Sequence, residues 1–280
     1  MIVSIANPEP APDGGAQLIR RWDPAGPVWA DLVLVHGLGE HTGRYGRTGS
    51  LLAEAGIRVR GFDLLGHGAS SGGRADVARW SLFLDQVEGS LEAVRTEGRP
   101  LVLLGHSVGG LIALDYALAE RPQPDLLVLS APALGGGKPW QRGLVPFLAR
   151  LFPTLRMPNP VPEAQLCSDP GVGEAYLADP LVVTKTSLRL GAGILATQNR
   201  ALAALPMLSL PTLVMHGGDD RIIPTVASLP LASLPSVERR VFPGLRHEIF
   251  NEPVGPGVVQ EMIEWIGART PASGDQSRAR

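Results

Sequence analysis

The sequence has a single cysteine, no marked excess of either charge and no long apolar run, and each of these absences excludes a class of protein. Cys167 is the only cysteine among 280 residues, so an intrachain disulfide and a cluster of thiolate metal ligands are both excluded. The chain has 25 Lys and Arg against 27 Asp and Glu, and the resulting formal charge of -2 offers no basic field to nucleic acid. No run reaches the roughly 18 apolar residues of a membrane-spanning helix. We therefore expect a soluble, cytoplasmic protein with no nucleic-acid partner.

Short apolar runs alternate along the chain with longer segments that have the period of a helix. Six runs rich in Val and Leu predict strands that are buried on both faces, at residues 32–35, 57–62, 101–104, 126–129, 212–215 and 237–242. Residues 2–5 and 17–22 predict an antiparallel hairpin at the edge of the same sheet. Three segments predict helices, namely an apolar stripe from Leu84 to Val94, residues 111–119 and residues 254–266. This order predicts an α/β fold with a mostly parallel sheet and helices on both of its faces.

One stretch, residues 133–205, interrupts the alternation because it contains no strand-like run at the expected spacing. We interpret it as an insertion into a core formed by residues 1–132 and 206–268, and we expect a disordered tail at residues 269–280. Within the insertion, four leucines repeat at helical spacing: Leu144, Leu148, Leu151 and Leu155. This apolar face either packs onto the core, which is the interpretation that we favour, or forms a lid that also contacts acyl chains or a lipid surface.

Ser107 lies at the centre of a G-x-S-x-G pattern that runs from Gly105 to Gly109. A predicted strand enters the pattern and a predicted helix leaves it, so the serine is expected on a sharp turn that presents its hydroxyl outward. Glycines at the two ends permit the strained backbone and the close approach of neighbouring strands that such a turn requires. The alternative, a glycine-rich strand end with a serine that only caps a helix, is disfavoured by the residues that follow.

A serine hydroxyl becomes a strong nucleophile only when a base takes its proton and a carboxylate holds that base. In a strand-turn-helix site of this kind the chain order is nucleophile, acid and then base. Two histidines follow Ser107, and His216 directly precedes the expected place of the acid, which leaves His247 as the base. Asp219 and Asp220 are adjacent in sequence, and spacing alone does not choose between them as the acid.

The reaction also needs two backbone N–H groups that stabilise the negative oxygen of the intermediate. Val108, the residue after the nucleophile, is expected to supply one of them. The other is expected from Leu38, in the His-Gly-Leu-Gly loop that follows the first predicted parallel strand. His36 in the same loop is expected to brace it and not to bind a metal, because no partner stands at the spacing of a zinc site. The mechanism requires no cofactor and no metal.

Five motifs of the sequence together resemble the monoacylglycerol lipase and lysophospholipase branch of the α/β-hydrolases, which is a serine aminopeptidase S33-like branch. They are His36-Gly37-Leu38-Gly39-Glu40-His41, Asp63-Leu64-Leu65-Gly66-His67-Gly68, Gly105-His106-Ser107-Val108-Gly109-Gly110, His216-Gly217-Gly218-Asp219-Asp220-Arg221 and His247-Glu248-Ile249-Phe250-Asn251-Glu252. The resemblance implies an α/β-hydrolase fold with an eight-stranded sheet, and a helical cap formed by the insertion. In that branch the acid directly precedes the Arg or Lys of a G-x-x-D-[RK] pattern, which implies Asp220 here. The branch usually has methionine where this chain has Val108, and we expect this difference to tune the pocket without abolishing activity.

The resemblance implies a serine hydrolase that cleaves esters of single-chain lipids, above all monoacylglycerols, through an acyl-enzyme on Ser107. A lipid ester is then the expected partner, with transient contact between the cap and a membrane surface. Other activities remain open on the same residues, namely those of a general carboxylesterase, a thioesterase, a peptidase or a lysophospholipase. A ligand-binding module without catalysis is an alternative of another class. Chemistry with an aspartate nucleophile is disfavoured because the residue at the turn is a serine.

Overall fold

The computed structural model describes residues 2–135, 139–159 and 161–270. The strands in this part of the chain are β1 (Ile5–Pro10), β2 (Ala16–Trp22), β3 (Ala30–Val35), β4 (Ile57–Phe62), β5 (Leu101–His106), β6 (Leu126–Ser130), β7 (Arg156–Pro158), β8 (Lys185–Ser187), β9 (Thr212–Gly217) and β10 (Val237–Phe242). The helices are α1 (Gly46–Glu54), α2 (Ser81–Val94), α3 (Val108–Ala117), α4 (Pro139–Leu151), α5 (Pro170–Ala178), α6 (Leu188–Ala204) and α7 (Gly255–Gly267).

Within the described residues, eight strands form one sheet in the order β1-β2-β4-β3-β5-β6-β9-β10. All neighbours from β4 to β10 are parallel, whereas β2 is antiparallel to both β4 and β1. This confirms the predicted α/β fold with a mostly parallel sheet. The strand order reverses at β3, because β4 lies on one side of it and β5 on the other. The loops after β3 and β5 therefore border a crevice at the carboxyl ends of the strands, where ligands bind in open sheets of this kind.

Helices cover both faces of the sheet. Successive residues of a central strand alternate between two buried clusters, so that Val33 and Val35 face α2, α3 and α6, while Leu32 and Leu34 face α1 and α7. Strands that are buried on both faces need no polar residue at alternate positions. The uninterrupted apolar runs of the sequence follow from this arrangement.

Two boundaries differ from the sequence prediction. The first edge strand was expected at residues 2–5, which is wrong, since β1 runs from Ile5 to Pro10. Pro8 and Pro10 have no N–H to donate, but β1 is the edge of the sheet and pairs on one side only, where proline is tolerated. The helix expected to begin at residue 111 begins at Val108, directly after the turn.

Between β6 and β9 the chain forms α4, α5, α6 and a two-stranded antiparallel ribbon of β7 and β8. The ribbon was not expected, because each of its strands has only three residues and leaves no periodic signal. The predicted domain boundaries, with the insertion at residues 133–205, stay a prediction. The predicted tail lies outside the described residues from position 271 onward. In the described part of the chain, no helix has the length and apolar character needed to cross a membrane.

The favoured interpretation of the leucine stripe, packing onto the core, is wrong. Five apolar side chains of α4 and the turn after it are between 45% and 58% exposed: Leu144, Phe147, Leu151, Phe152 and Leu155. The helix packs on α6 through a different side, where Ala149 is buried and Val145 lies close to the backbone of Gly191. Helical periodicity gives an apolar face, but it does not say which neighbour covers that face. We call α4 and the residues up to Pro158 the apolar arm.

Candidate active site

Ser107 joins β5 to α3 and has a φ of 54° and a ψ of -118°. A positive φ is strained in a residue with a side chain, and such strain is concentrated at functional sites. The turn closes only because position 109 is glycine, since a Cβ there would lie 2.3 Å from the carbonyl oxygens of Val35 and His36. Two backbone hydrogen bonds fix the turn, as the Ser107 N–H donates to Ser130 and the Ala133 N–H donates to the Ser107 carbonyl, both at 2.9 Å.

Asp220 and His247 lie together at the same edge of the sheet. The Nδ1 of His247 is 2.7 Å from Oδ2 of Asp220, while Oδ1 of Asp220 accepts the N–H groups of Ile222 and Ile223 at 2.9 Å. Burial alone would raise the pKa of Asp220, but hydrogen bonds from His216 and His247 outweigh it and hold this pKa well below its usual range. Asp220 is therefore an ionised carboxylate that orients the His247 ring and stabilises a positive charge on it.

The neighbouring Asp219 points elsewhere, since its side chain is exposed and its N–H donates to the Leu245 carbonyl at 2.9 Å. His216, which sequence reasoning set aside, is fully buried, and its Nε2 lies 3.3 Å from Oδ2 of Asp220. The same nitrogen is 2.7 Å from the Ile223 carbonyl. His216 thus supports the carboxylate from behind, a role that its position at a strand end could have suggested.

The loop after β3 lies against the nucleophile. Gly37 approaches so closely that a Cβ on it would lie 3.2 Å from the Cβ of Ser107. His36 is fully buried and its Nε2 accepts the Leu64 N–H at 2.9 Å, so it braces the loop. Leu38 from this loop and Val108 from the start of α3 both line the cavity beside Ser107. Their assignment as the two oxyanion donors stays a prediction.

A buried charged cluster stands beside the site, and sequence reasoning missed it. Arg44 donates to both carboxylate oxygens of Glu248 at 2.5 and 2.9 Å and to Oε2 of Glu40 at 3.0 Å. Oε1 of Glu40 accepts the Gly37 N–H at 2.6 Å and the Tyr45 hydroxyl at 2.7 Å. Burial tends to raise the pKa of Glu40, but the Arg44 charge, the neighbouring histidines and the hydrogen bond from Tyr45 together outweigh burial and lower this pKa to about 2. The cluster therefore connects the loop after β3 to the residue that follows His247.

A cavity of about 500 Å³ extends from Ser107 and His247. Its polar end contains Glu40, Arg44, Glu248, His106 and Tyr176. Its apolar walls come largely from α4 and α6, including Leu144, Leu148, Leu188, Ile194 and Leu195. One end of the cavity thus suits a hydroxylated group and the rest suits a hydrocarbon chain.

His106 packs beside the predicted base, with 4.7 Å between its ring centroid and that of His247. Its Nδ1 is 3.1 Å from the Ser130 hydroxyl. Burial, together with the nearby charge of His247, lowers the pKa of His106 to about 3. His106 is therefore neutral at physiological pH and does not oppose a positive charge on its neighbour.

The insertion is joined to the loop that carries His247. The Glu248 N–H donates to the Leu166 carbonyl at 2.8 Å, and the fully buried Glu252 accepts the Ser168 N–H at 3.0 Å and the Ser168 hydroxyl. Cys167 between them is buried, with its Sγ 3.3 Å from the Asn251 carbonyl. The wall of the cavity next to His247 is thus fixed by polar contacts.

A second junction joins the insertion to the loops after β3 and β4. The Nε2 of His41 lies 2.9 Å from Oδ2 of Asp179. Asp76 accepts hydrogen bonds from the Ser187 hydroxyl at 2.7 Å and from the Arg189 guanidinium at 2.5 and 2.6 Å. The first contact lies at the end of α5, whereas the contacts of Asp76 lie at the start of α6, which then runs on to form one wall of the cavity.

The chain has detectable relatives of known structure and name. A family model described as "Serine aminopeptidase, S33" matches residues 26–254. The monoacylglycerol lipase of Mycolicibacterium smegmatis is 33% identical over 271 residues, covering 90% of this chain and 94% of that protein. The phospholipase YtpA of Bacillus subtilis is 30% identical over 240 residues, covering 83% of this chain and 92% of that protein. The crystal structure of a monoacylglycerol lipase from Paleococcus ferrophilus superposes with a TM-score of 0.82 at 31% identity, covering 90% of this chain and 99% of that one.

Proposed function

The chain belongs to the serine aminopeptidase S33 family of α/β-hydrolases, and from this premise we propose that Ser107, His247 and Asp220 are its catalytic triad. It is an ester hydrolase of the monoacylglycerol lipase type. One observation carries the assignment of the triad: the strained turn at Ser107 borders the same cavity as His247, whose ring is paired with Asp220. Ser107 lies on the strained turn expected of a nucleophile, and His247 is paired with the ionised carboxylate of Asp220, as expected of a base.

In the proposed reaction the hydroxyl of Ser107 attacks the ester carbonyl while Nε2 of His247 accepts the hydroxyl proton. His247 then gives this proton to the departing alcohol, and water hydrolyses the acyl-enzyme by the same steps. Asp220 stabilises the positive ring through Nδ1. The backbone N–H groups of Leu38 and Val108 stabilise the oxyanion, assisted by the positive end of α3, which begins directly after Ser107.

The proposed substrate is a monoacylglycerol, with its acyl chain between α4 and α6 and its glycerol at the polar end of the cavity. A single hydrocarbon chain matches the apolar walls. Hydroxyl groups match the carboxylates and the guanidinium of Glu40, Arg44 and Glu248, all of which are hydrogen-bonding groups. The relatives named as monoacylglycerol lipases support the same substrate.

We also propose that the apolar arm contacts a lipid surface. Contiguous apolar side chains that are half exposed mark an interaction surface, and here they lie on the element that also lines the cavity. A substrate leaving the surface would then enter the cavity beside Leu144. The proposed location is the cytoplasm, a reducing compartment in which the Cys167 thiol stays free.

The test is hydrolysis of monoacylglycerols and p-nitrophenyl esters of graded chain length by the wild type and by Ser107→Ala. We expect the wild type to hydrolyse medium and long monoacylglycerols, and the variant to lose roughly four orders of magnitude or more in kcat. A fluorophosphonate should form one adduct per chain, located on Ser107 by mass spectrometry of the digested protein. If the wild type hydrolyses only short acyl esters, the protein is a general carboxylesterase. An adduct on another residue would refute the assigned nucleophile.

A further inference from the structure

Charge is distributed unevenly along the cavity. Of the described residues that line it, three carry a full charge at neutral pH: Glu40, Arg44 and Glu248. They all lie at the polar end, beside His247, and they sum to one negative charge. Asp220, which lies directly behind the His247 ring, adds a second negative charge at the same end.

Two carboxylates pair with the positive charge of Arg44. Nη1 donates to both Glu40 and Glu248, and Nη2 donates to Glu248. The guanidinium carbon also lies 4.8 Å from the centre of the Tyr176 ring, which covers one face of the group. A phosphate that replaced either carboxylate on Arg44 would leave that buried carboxylate unpaired, so the Arg44 charge is a poor anchor for an anion.

We infer that the polar end of the cavity rejects anionic alcohol groups, so that the enzyme cleaves esters of neutral polyols and discriminates against esters of glycerol phosphates. This inference rests on the proposed function, because it concerns the alcohol released by the same triad. Glu248 supplies one of the two net negative charges, since without it Arg44 would balance Glu40 and only the charge of Asp220 would remain. Like charges brought together in a dry site disfavour the wrong partner strongly, and this is how specificity is built by repulsion.

The inference separates two activities that occur among the relatives, since one of them is named a monoacylglycerol lipase and another a phospholipase. The acyl pocket cannot separate them, because the acyl chain of a lysophospholipid is the same as that of a monoacylglycerol. The discrimination must therefore come from the groups around the alcohol.

The experiment compares three substrates with the same octanoyl chain, used below their aggregation limits: monooctanoylglycerol, octanoyl lysophosphatidylcholine and octanoyl lysophosphatidic acid. We expect kcat/KM for the lysophosphatidic acid to be at least about 100-fold lower than for the glycerol ester, with the zwitterion between them. Equal kcat/KM values for the neutral and the anionic substrate would overturn the inference and leave the triad intact. A wild type that is inert on all three and on p-nitrophenyl octanoate would overturn the proposed function, and the inference with it.

The variant Glu248→Gln tests whether the charge of Glu248 contributes to the discrimination against anionic substrates. We expect it to narrow the ratio between the neutral and anionic substrates by about tenfold, because one repelling charge is removed. Glu264→Gln is the matched control, since Glu264 is exposed on α7 and does not line the cavity. Thermal unfolding and turnover of p-nitrophenyl octanoate establish that each variant is folded and active. If Glu248→Gln keeps the wild-type ratio of kcat/KM between the neutral and the anionic substrate, Glu248 is not the residue that disfavours anionic alcohol groups.

Discussion

The core and the insertion enclose the same cavity, but they are built in opposite ways. On the core side the chemical groups lie at the edge of a buried sheet, and each is held by several hydrogen bonds, as Asp220 is by His247, Ile222 and Ile223. On the insertion side the apolar arm is half exposed, and among the described residues its hydrogen bonds to the rest of the chain end on the insertion itself, such as that from the Leu188 N–H to the Leu155 carbonyl. From this difference we expect the core to perform the reaction and to recognise the alcohol, whereas the insertion admits the acyl chain.

This comparison makes a general prediction. Substitutions of the proposed catalytic residues of the core should lower the rate on every ester alike, whereas substitutions in the apolar arm should change the ratio between acyl chains or between soluble and vesicle-bound substrates and leave the chemical step unchanged. Substitutions at the junctions between the two parts should have intermediate effects on the rate and on the ratio between substrates.

The largest effect is expected for Asp220→Asn. The amide cannot stabilise the positive His247 ring, so kcat should fall by about 10³- to 10⁴-fold, by the same factor for short and long acyl chains. KM should change little. Asp219→Asn is a matched control, because the adjacent side chain is exposed. A loss that varied with acyl length would contradict the assignment of this carboxylate to the chemical step.

A smaller effect is expected at the junction, for Glu252→Ala. The substitution leaves the part-buried N–H groups of Ser168 and Arg246 without their acceptor, which should cost about 2 kcal/mol in the free energy of unfolding. Because the same loop carries His247, kcat should also fall, by about tenfold on all esters. Urea denaturation and steady-state kinetics measure the two effects, with Glu264→Ala on the surface as the control. Full stability in Glu252→Ala would show that this junction does not hold the insertion in place.

As pH decreases, the buried histidines of the core should lower the free energy of unfolding at a higher pH than the carboxylates of the second junction do. Burial lowers the pKa of both His67 and His106 to about 3, against about 6.5 in the unfolded chain, so the unfolded state binds more protons between these values. The free energy of unfolding should therefore fall as pH decreases from 6.5, by up to about 1.4 kcal/mol per pH unit for each histidine.

The junction carboxylates titrate in a lower range. Burial tends to raise the pKa values of Asp76 and Asp179, but hydrogen bonds and nearby positive charges, above all those of Arg189 and His41 respectively, together outweigh it and lower both. Their contribution is complete above about pH 4 and is lost only as pH falls through the lowered values. Glutamates begin to bind protons in the unfolded chain below about pH 5.5, so urea denaturation between pH 7 and about 5.5 reports the buried histidines. His67→Gln should reduce the slope in this range, and an unchanged slope would count against a buried neutral His67.

The smallest effect on stability is expected in the apolar arm, for the double variant Phe147→Ser and Leu151→Ser. Both side chains are 58% exposed, so stability should change by less than about 0.5 kcal/mol for each substitution. Turnover of soluble short esters should be unchanged, whereas turnover of monoacylglycerols presented in vesicles should fall several-fold. Equal losses in the two assays would exclude a role of the arm in contact with lipid.

The sequence is sufficient to predict the parts of the molecule that depend on local order. Buried strands leave uninterrupted apolar runs, and the strained turn at Ser107 leaves a pair of glycines around a serine. The eight-stranded α/β fold and its hydrolase family are confirmed. The assignment of the site residues stays a prediction that the experiments above can decide.

Contacts between distant segments leave no such pattern. Glu248 follows His247 directly, but its partner Arg44 is 204 residues away, and nothing near Glu248 indicates that its charge is buried. Asp179 and His41 are 138 residues apart. The exposure of the leucine stripe on α4 was not predicted for a similar reason. The face of α4 that is buried depends on contacts with α6, which lies later in the chain.

The buried state of Cys167 has a practical consequence for measuring contact between the apolar arm and lipid. Burial raises the pKa of its thiol to about 11, so at neutral pH the protonated sulfur reacts slowly with maleimide reagents. A second cysteine introduced at the exposed position 151 would therefore take a fluorophore or a spin label selectively, with the native thiol left in place. The chain is thus already suited to single-site labelling, and the contact of the arm with a lipid bilayer can be followed by spectroscopy without first making a cysteine-free background.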